Sequence, residues 1–180
     1  MFSYFYNGVL FMQLSKEQEN WIYNFINKEL RFIPQCGPRY YFLPFSIYRP
    51  FAVYDISAIT DEQLELLHEL TPQAIQNCLK PGYMIYAVDW NHNTVLYDPL
   101  NPDTAQSTEP CFPFFTNSGL AYFNSFYPNG DYYFFIDRFG AFGYLSHPWR
   151  EEIWIFGEQL LTEFEKIENQ LNFKKIASIK

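Results

Sequence analysis

The spacing of apolar and polar positions predicts helices separated by strands. Two capping boxes, Ser15-Lys16-Glu17-Gln18 and Thr60-Asp61-Glu62-Gln63, mark two helix starts, because the N-cap hydroxyl and the Gln side chain each bond the other residue's backbone N–H. An apolar stripe extends the first helix over residues 16–31. Thr71-Pro72 combines an N-cap residue with a proline at the first helical position, so a separate short helix is expected there, ending at Pro81-Gly82.

The middle of the chain predicts strands. Residues 83–90 are mostly aromatic and aliphatic, residues 91–93 form a turn signal, and residues 94–98 suit the returning strand of a hairpin. Residues 48–55 contain a proline and are interpreted as an edge strand, where proline is tolerated. Residues 101–118 are rich in Pro, Thr and Ser and are expected to form a long loop.

The stretch from Phe126 to Leu161 holds the densest set of signals. A turn over Pro128-Asn129-Gly130-Asp131 precedes a run of aromatic and β-branched residues that suits a strand buried on both faces. Three strands are predicted here, at residues 132–136, 142–145 and 152–156. After Gly157, apolar residues recur at helical spacing between glutamates, which predicts a helix that closes the chain.

Two segments of this chain resemble a known family. The run PNGDYYFFIDRFGAFGYLSHPWREEIWIFGEQLL and the segment IYAVDWNHNTVLYDP, Ile85 to Pro99, are similar to the C-terminal and central segments of the DUF2716 family of small bacterial proteins. They stand in the family's order and lie within residues 83–99 and 126–161. The resemblance implies no assigned chemistry and supplies no catalytic residue.

The order of these elements predicts the fold class. Early helices, central hairpins and a closing helix indicate an α+β domain with a mostly antiparallel sheet of about five or six strands and helices packed on one face. The 180 residues fit one domain, expected over residues 15–180. Residues 1–14 are expected to form an apolar N-terminal arm, with Met12 as a candidate start because a capped helix begins just after it.

Composition and charge narrow the classes of partner. The net charge of −8 argues against direct binding of nucleic acid or an anionic membrane, since both require a basic patch. No run of eighteen apolar residues is present to span a bilayer. The three cysteines are widely spaced, which indicates a reducing cytoplasm rather than a disulfide framework. Aromatic residues make up 22% of the chain, more than a core of this size needs, so some rings are available for a binding face.

An enzyme is one functional hypothesis. It would use a pocket built from Asp89, His92, Asp137 and His147, and it requires these side chains to converge. In the alternative interpretation these residues are structural. Residues 89–92 then belong to a hairpin turn, and His147-Pro148-Trp149 form a corner of the sheet. The histidines are scattered and no motif for a phosphate, a nucleotide or a metal occurs, so no cofactor and no metal are expected.

A protein-binding module is the preferred hypothesis. A small, acidic, motif-free chain is typical of an immunity protein that neutralises a basic bacterial toxin domain by covering its active site, with carboxylates as anchors for Lys and Arg. The predicted contact residues are Asp131, Asp137, Trp149, Glu151, Glu152 and Glu158. In a simpler interpretation, the glutamates only form a solvated helix face. A third functional hypothesis is a structural or phage-associated protein.

Overall fold

The structure is a computed structural model that describes residues 3–6, 9–34, 47, 49–90, 94–97, 99, 111–116, 119–124, 126–128 and 130–179. The helices described are α1 (Lys16–Asn24), which continues as a π-helical segment (Phe25–Glu29), α2 (Asp61–Asn77) and α3 (Glu158–Leu171). The strands described are β1 (Ser3–Tyr6), β2 (Val9–Gln13), β3 (Phe51–Asp55), β4 (Ile85–Asp89), β5 (Thr94–Tyr97), β6 (Cys111–Thr116), β7 (Gly119–Asn124), β8 (Tyr133–Ile136), β9 (Gly143–His147), β10 (Glu152–Phe156) and β11 (Lys174–Ile179).

Nine of these strands form one antiparallel sheet in the order β1-β2-β5-β4-β8-β9-β10-β3-β11. Strands β6 and β7 pair with each other as a separate hairpin. The predicted α+β class and antiparallel sheet are confirmed, with more strands than expected. The apolar segment over residues 1–14 contributes β1 and β2, and β2 joins the sheet by pairing with β5 through Met12 and Gln13.

The sheet divides the interior into two apolar cores. On one face, α2 and α3 bury Leu67, Ile75, Leu160 and Phe164 against the strands. On the other face, α1 and the π-helical segment bury their apolar side chains, among them Ile22. Helices therefore cover both faces of the sheet, whereas the sequence predicted helices on one face only. Because helices cover the sheet on both sides, its central strands are buried on both faces and are mostly apolar. β4, β8, β9 and β10 are accordingly buried at every position.

Helix α2 runs unbroken through Pro72, so the predicted short second helix is wrong. Proline removes one N–H from the helical ladder. The buried apolar side chains on either side, Leu67, Ala74 and Ile75, keep the helix intact by packing on the sheet, since burial of an apolar face outweighs local propensity.

Three predicted features near the sheet edges also need correction. β3 is not an edge strand, because β11 pairs along its outer side. The chain therefore closes with a strand rather than with helix α3. β11 is exposed along its whole length and carries no buried periodicity from which it could be recognised. The predicted loop over residues 101–118 contains β6, while residues 101–110 lie outside the described ranges.

Thr71 in α2 provides a test of this packing. Its hydroxyl is buried and has no hydrogen-bond partner among the described residues. Thr71→Val keeps the shape and removes this unsatisfied group, so we expect the free energy of unfolding to rise by about 1 kcal/mol. Thr71→Ser, which keeps the hydroxyl and loses the methyl group, should lower it by a similar amount. Urea denaturation measures both, and a destabilised Thr71→Val variant would mean that the hydroxyl is hydrogen-bonded.

Candidate functional site

The turn between β9 and β10, here called the His147–Glu152 turn, is held in one conformation by several contacts. Its backbone is tied to the residue after β3, because the Ile56 N–H donates to the Glu151 carbonyl at 2.8 Å. Glu151 adopts a left-handed conformation with φ 51°, which is uncommon for a residue with a side chain. The side chain of Trp149 is 44% exposed at the tip. The turn thus presents a large aromatic ring on a constrained backbone.

Glu152 anchors the turn from inside the protein. Its carboxylate is buried and accepts two hydrogen bonds from Arg150, at 2.8 Å from Nε and 2.9 Å from Nη2. The indole N–H of Trp154 donates to the same carboxylate at 3.0 Å. The hydrogen bond with Glu152 raises the pKa of Arg150. Bidentate pairs of this kind are strong and geometrically specific, so Glu152 is engaged within the fold and is not a free anchor for a partner.

His147 lies fully buried beneath the turn. Its Nδ1 accepts a hydrogen bond from the Arg150 N–H at 3.3 Å, and its ring packs edge-on against Tyr132 with centroids 4.8 Å apart. An accepting Nδ1 places the proton of the neutral ring on Nε2, and within the described ranges Nε2 has no hydrogen-bond partner. Burial, together with the nearby Arg150, lowers the pKa of His147 to about 4. The imidazole is therefore neutral near pH 7 and part of the core.

This burial predicts a pH-dependent stability. A histidine with a lowered pKa in the folded state binds fewer protons than in the unfolded state, so stability is full above about pH 6.5 and falls as the pH drops towards about 4. The loss should reach about 3 kcal/mol at most. We expect His147→Phe to flatten the profile of urea denaturation between those pH values.

A second histidine provides the control. Burial also lowers the pKa of His68, so His68→Gln should flatten the same pH profile by a smaller amount. An unchanged profile in His147→Phe would contradict a buried neutral imidazole.

The three described residues of the hypothetical enzyme pocket, Asp89, Asp137 and His147, do not converge. Asp89 ends β4 on the same face as Ala87, which lies in the α2–α3 core, whereas His147 shares the face of Leu145 in the α1 core. Asp137 follows the far end of β8, four residues beyond the Tyr133 that pairs with Asp89, or roughly 13 Å along the strand. His92 lies outside the described residues.

Asp137 has a structural role at the other end of the sheet. Its buried carboxylate accepts hydrogen bonds from the N–H groups of Phe139 at 2.9 Å and Ala141 at 3.2 Å, within the turn between β8 and β9. This is the usual way in which an aspartate stabilises a turn. Asp137 is therefore neither a pocket acid nor an accessible contact residue.

The six predicted contact residues divide between the two ends of the sheet. Trp149 and Glu151 are exposed on the His147–Glu152 turn, and half-buried Asp131 lies at the same end, directly before Tyr132. Glu158 is exposed at the opposite end, where α3 begins. Asp137 and Glu152 are buried. The predicted contact residues that lie together at one end of the sheet with at least partly exposed side chains, here called the contact group, are therefore Asp131, Trp149 and Glu151.

A larger charged surface emerges only from the fold. Helices α2 and α3 pack side by side, and Gln63 links them by donating to the Leu171 carbonyl at 2.8 Å. We call these two helices the acidic helix layer. It holds one basic side chain, Lys166, and eight acidic ones: Asp61, Glu62, Glu65, Glu69, Glu158, Glu163, Glu165 and Glu168.

Most of the protein's net charge is therefore concentrated on one face. The eight acidic and one basic side chains of the layer account for seven of the eight net negative charges of the chain. Glu163 pairs with Lys166 and Glu168 with Lys175, while Asp61, Glu62, Glu65, Glu69 and Glu158 are exposed. The sequence indicated the acidity of α3. The sequence also indicated that α2 is acidic, because residues 61–77 lack Lys and Arg. It did not indicate that α2 and α3 lie next to each other.

Three other chemical features bear on function: membrane-spanning helices, metal-binding clusters and the reactivity of a cysteine thiol. No helix in the described part of the chain combines the length and apolarity needed to cross a membrane. Across the same residues, no group of three or more His, Cys, Asp or Glu side chains is arranged to hold a metal ion. Burial raises the pKa of the half-buried Cys78 thiol to about 12, which disfavours the nucleophilic thiolate.

Comparisons with known proteins extend the earlier resemblance. The family model described as "Protein of unknown function (DUF2716)" matches residues 13–161. The "Uncharacterized protein YxiI" of Bacillus subtilis (strain 168) is 30% identical over 169 residues, which cover 87% of this chain and 91% of that protein. No solved structure matches.

Proposed function

The chain belongs to the DUF2716 family, and we propose that it is a cytoplasmic protein-binding module of the immunity type, which binds and neutralises a basic bacterial toxin domain. The observation that carries this proposal is the acidic helix layer. Seven of eight net negative charges lie on two adjacent helices. A concentrated field of one sign steers an oppositely charged partner and disfavours partners of like charge.

The geometry suggests two contributions to binding. The exposed carboxylates of the layer raise the association rate and pair with Lys and Arg of the toxin domain. The ring of Trp149, presented beside Glu151 on the His147–Glu152 turn, is the kind of rigid aromatic anchor that dominates interface energies. A toxin that acts on nucleic acid needs a basic cleft, so covering that cleft with carboxylates would block its substrate.

Co-expression with the product of the adjacent open reading frame tests this function. We expect that product to be toxic alone in a sensitive host. We also expect this protein to restore growth and to co-purify with the toxic product as a complex that dissociates at high salt. A harmless neighbour, or rescue of growth without a complex, would count against the proposal.

The contact group can be tested in the same host. Trp149→Ala should weaken the complex by tenfold or more, on the order of 2 kcal/mol for an anchor residue. Trp21, which is similarly exposed on α1, provides the matched control, and Trp21→Ala should leave affinity unchanged. Equal losses in both variants would argue against the His147–Glu152 turn as a contact.

A further inference from the structure

The turn between β8 and β9 presents an aromatic ring to solvent. Phe139 is 75% exposed, the largest exposed fraction among the large apolar side chains of the described residues. It follows Arg138, which is also exposed. A single exposed apolar residue is ordinary, whereas a contiguous exposed patch of such residues marks an interaction site. The meaning of Phe139 therefore depends on its neighbours.

Several contacts fix the backbone of this turn. The Gly140 N–H donates to the Asp137 carbonyl at 2.9 Å, and the Asp137 N–H donates to the Phe142 carbonyl at 3.0 Å. Arg49 donates from Nη1 to the Gly140 carbonyl, and its guanidinium lies 5.5 Å from the centre of the Phe25 ring. A side chain on a backbone that is already fixed loses less conformational freedom when a partner covers it.

Trp21 of α1 continues this exposed surface beside the turn. Its ring is 37% exposed and stacks on Phe25 and on Tyr86, with centroids 5.3 and 5.4 Å apart. Arg138 forms a side-chain hydrogen bond with the phenol of Tyr86. Tyr86 and Arg138 thus connect Trp21 to Phe139. We call the three exposed residues, Trp21, Arg138 and Phe139, the aromatic–arginine surface.

This surface differs in charge from the acidic helix layer, which covers the other face of the sheet. Arg49 and Arg138 are cationic, whereas the carboxylate of Asp137 is buried and bonded within the turn. Glu17 lies one helical turn before Trp21. A negatively charged ligand is therefore expected to place its charge at the Arg138 end of the surface.

We propose that the aromatic–arginine surface binds an acidic peptide segment of a second protein, which places an apolar side chain on Trp21 and Phe139 and a carboxylate on Arg138. Trp, Phe and Arg are enriched at protein interfaces. A guanidinium has five N–H donors, so the contact with Tyr86 leaves donors for a carboxylate.

A peptide fits this surface better than a nucleic acid does. Single-stranded nucleic acid also stacks on aromatic rings, but it carries one negative charge per nucleotide. The net charge of −8 opposes such a polyanion, whereas a short peptide with a few carboxylates meets less repulsion. The surface and the acidic helix layer lie on opposite faces of the sheet, so binding at one does not exclude binding at the other.

Fluorescence anisotropy of the full chain with labelled synthetic peptides tests the surface. The probe has Leu-Phe at its centre and three Asp on each side. One comparison peptide replaces every Asp by Ser, and another replaces Leu-Phe by Ser-Ser. We expect the probe to bind at least about tenfold more tightly than either comparison peptide, because it alone combines the apolar and the acidic contacts.

Two pairs of variants locate the binding. Phe139→Ala should weaken probe binding about tenfold or more, whereas Ile33→Ala, at a side chain that is 53% exposed, should leave it unchanged. Arg138→Glu should also weaken it about tenfold or more. Lys174→Glu makes the same change in net charge at an exposed residue paired with Asp55, at the opposite end of the sheet, and should stay within about twofold of wild type.

Three outcomes would overturn the proposal. They are no binding of the probe at about 1 mM, equal losses in Phe139→Ala and Ile33→Ala, and equal losses in Arg138→Glu and Lys174→Glu. An oligothymidine that binds where the peptide does not, and that Phe139→Ala releases, would assign the surface to nucleic acid instead. The test uses no toxin, so its result is independent of the proposed immunity function.

Discussion

Gly157→Ala is expected to lower the free energy of unfolding by about 2–6 kcal/mol, a large part of the stability of a domain this size. Gly157 starts α3 with φ 91° and ψ 130°, a backbone conformation that costs a residue with a side chain about 1–3 kcal/mol. A Cβ at this position would also overlap the Ala141 carbonyl oxygen and lie 2.7 Å from the Phe142 Cα. Because these are backbone atoms of the neighbouring turn, no rotamer change relieves the overlap, which adds about 1–3 kcal/mol.

Gly130 provides a matched control for this prediction. Its φ of 89° is nearly the same as that of Gly157, but no described atom lies within 4 Å of the place where a Cβ would be. Gly130→Ala should therefore show the backbone cost alone, about 1–2 kcal/mol. Urea denaturation of both variants separates the two contributions. Equal losses would show that the contact between α3 and the turn before β9 is looser than described.

Glu152→Ala is the second large expected effect, with a loss of about 2–4 kcal/mol in the free energy of unfolding. Removing the carboxylate takes an acceptor from the guanidinium of Arg150, whose side chain is 25% exposed, and from the indole N–H of the buried Trp154. The cost comes from the buried indole N–H, which water cannot reach, and from the lost charge-assisted pair, which water replaces only in part. Chemical denaturation followed by tryptophan fluorescence measures the loss.

A double-mutant cycle with Arg150→Ala isolates the pair. If the two side chains act as a unit, the double variant should be less destabilised than the sum of the single variants, with a coupling of about 0.5–3 kcal/mol. A coupling near zero would mean that the ion pair contributes nothing beyond its separate contacts. Glu152→Gln, which keeps an acceptor for Trp154, should lie between the wild type and Glu152→Ala.

Local patterns correctly predicted the starts of α1, α2 and α3 and the central strands, although not the continuity of α2 through Pro72. The capping boxes at Ser15 and Thr60 form as expected, with reciprocal side-chain and backbone hydrogen bonds. The continuous apolar run of β8 correctly indicated a strand buried on both faces. β11 was not predicted, because a strand that is exposed along its whole length has no alternation of apolar and polar residues. Its position beside β3 also depends on pairing between residues more than a hundred positions apart. That pairing also explains why β3 is an interior strand.

The site was less predictable, because it depends on which face of the sheet each strand presents. Asp89 and His147 stand on different strands at the same end of the sheet, yet β4 and β9 direct them to opposite cores. Glu152 was expected to be an exposed anchor, but Arg150 and Trp154 hold it inside. The acidic helix layer arises because α2 and α3, about eighty residues apart in the chain, pack together.

The proposed function requires the acidic helix layer to bind a basic toxin domain. The most direct test is the association rate with the product of the adjacent open reading frame, measured at low salt for two variants of equal net charge. Glu65→Lys with Glu69→Lys alters exposed carboxylates of the layer, whereas Glu17→Lys with Glu29→Lys makes the same change at exposed positions on the opposite face. We expect the first variant to associate about tenfold more slowly or worse, and the second to stay within about twofold of the wild-type rate. Equal association rates for the two variants would contradict a role of the acidic helix layer in binding.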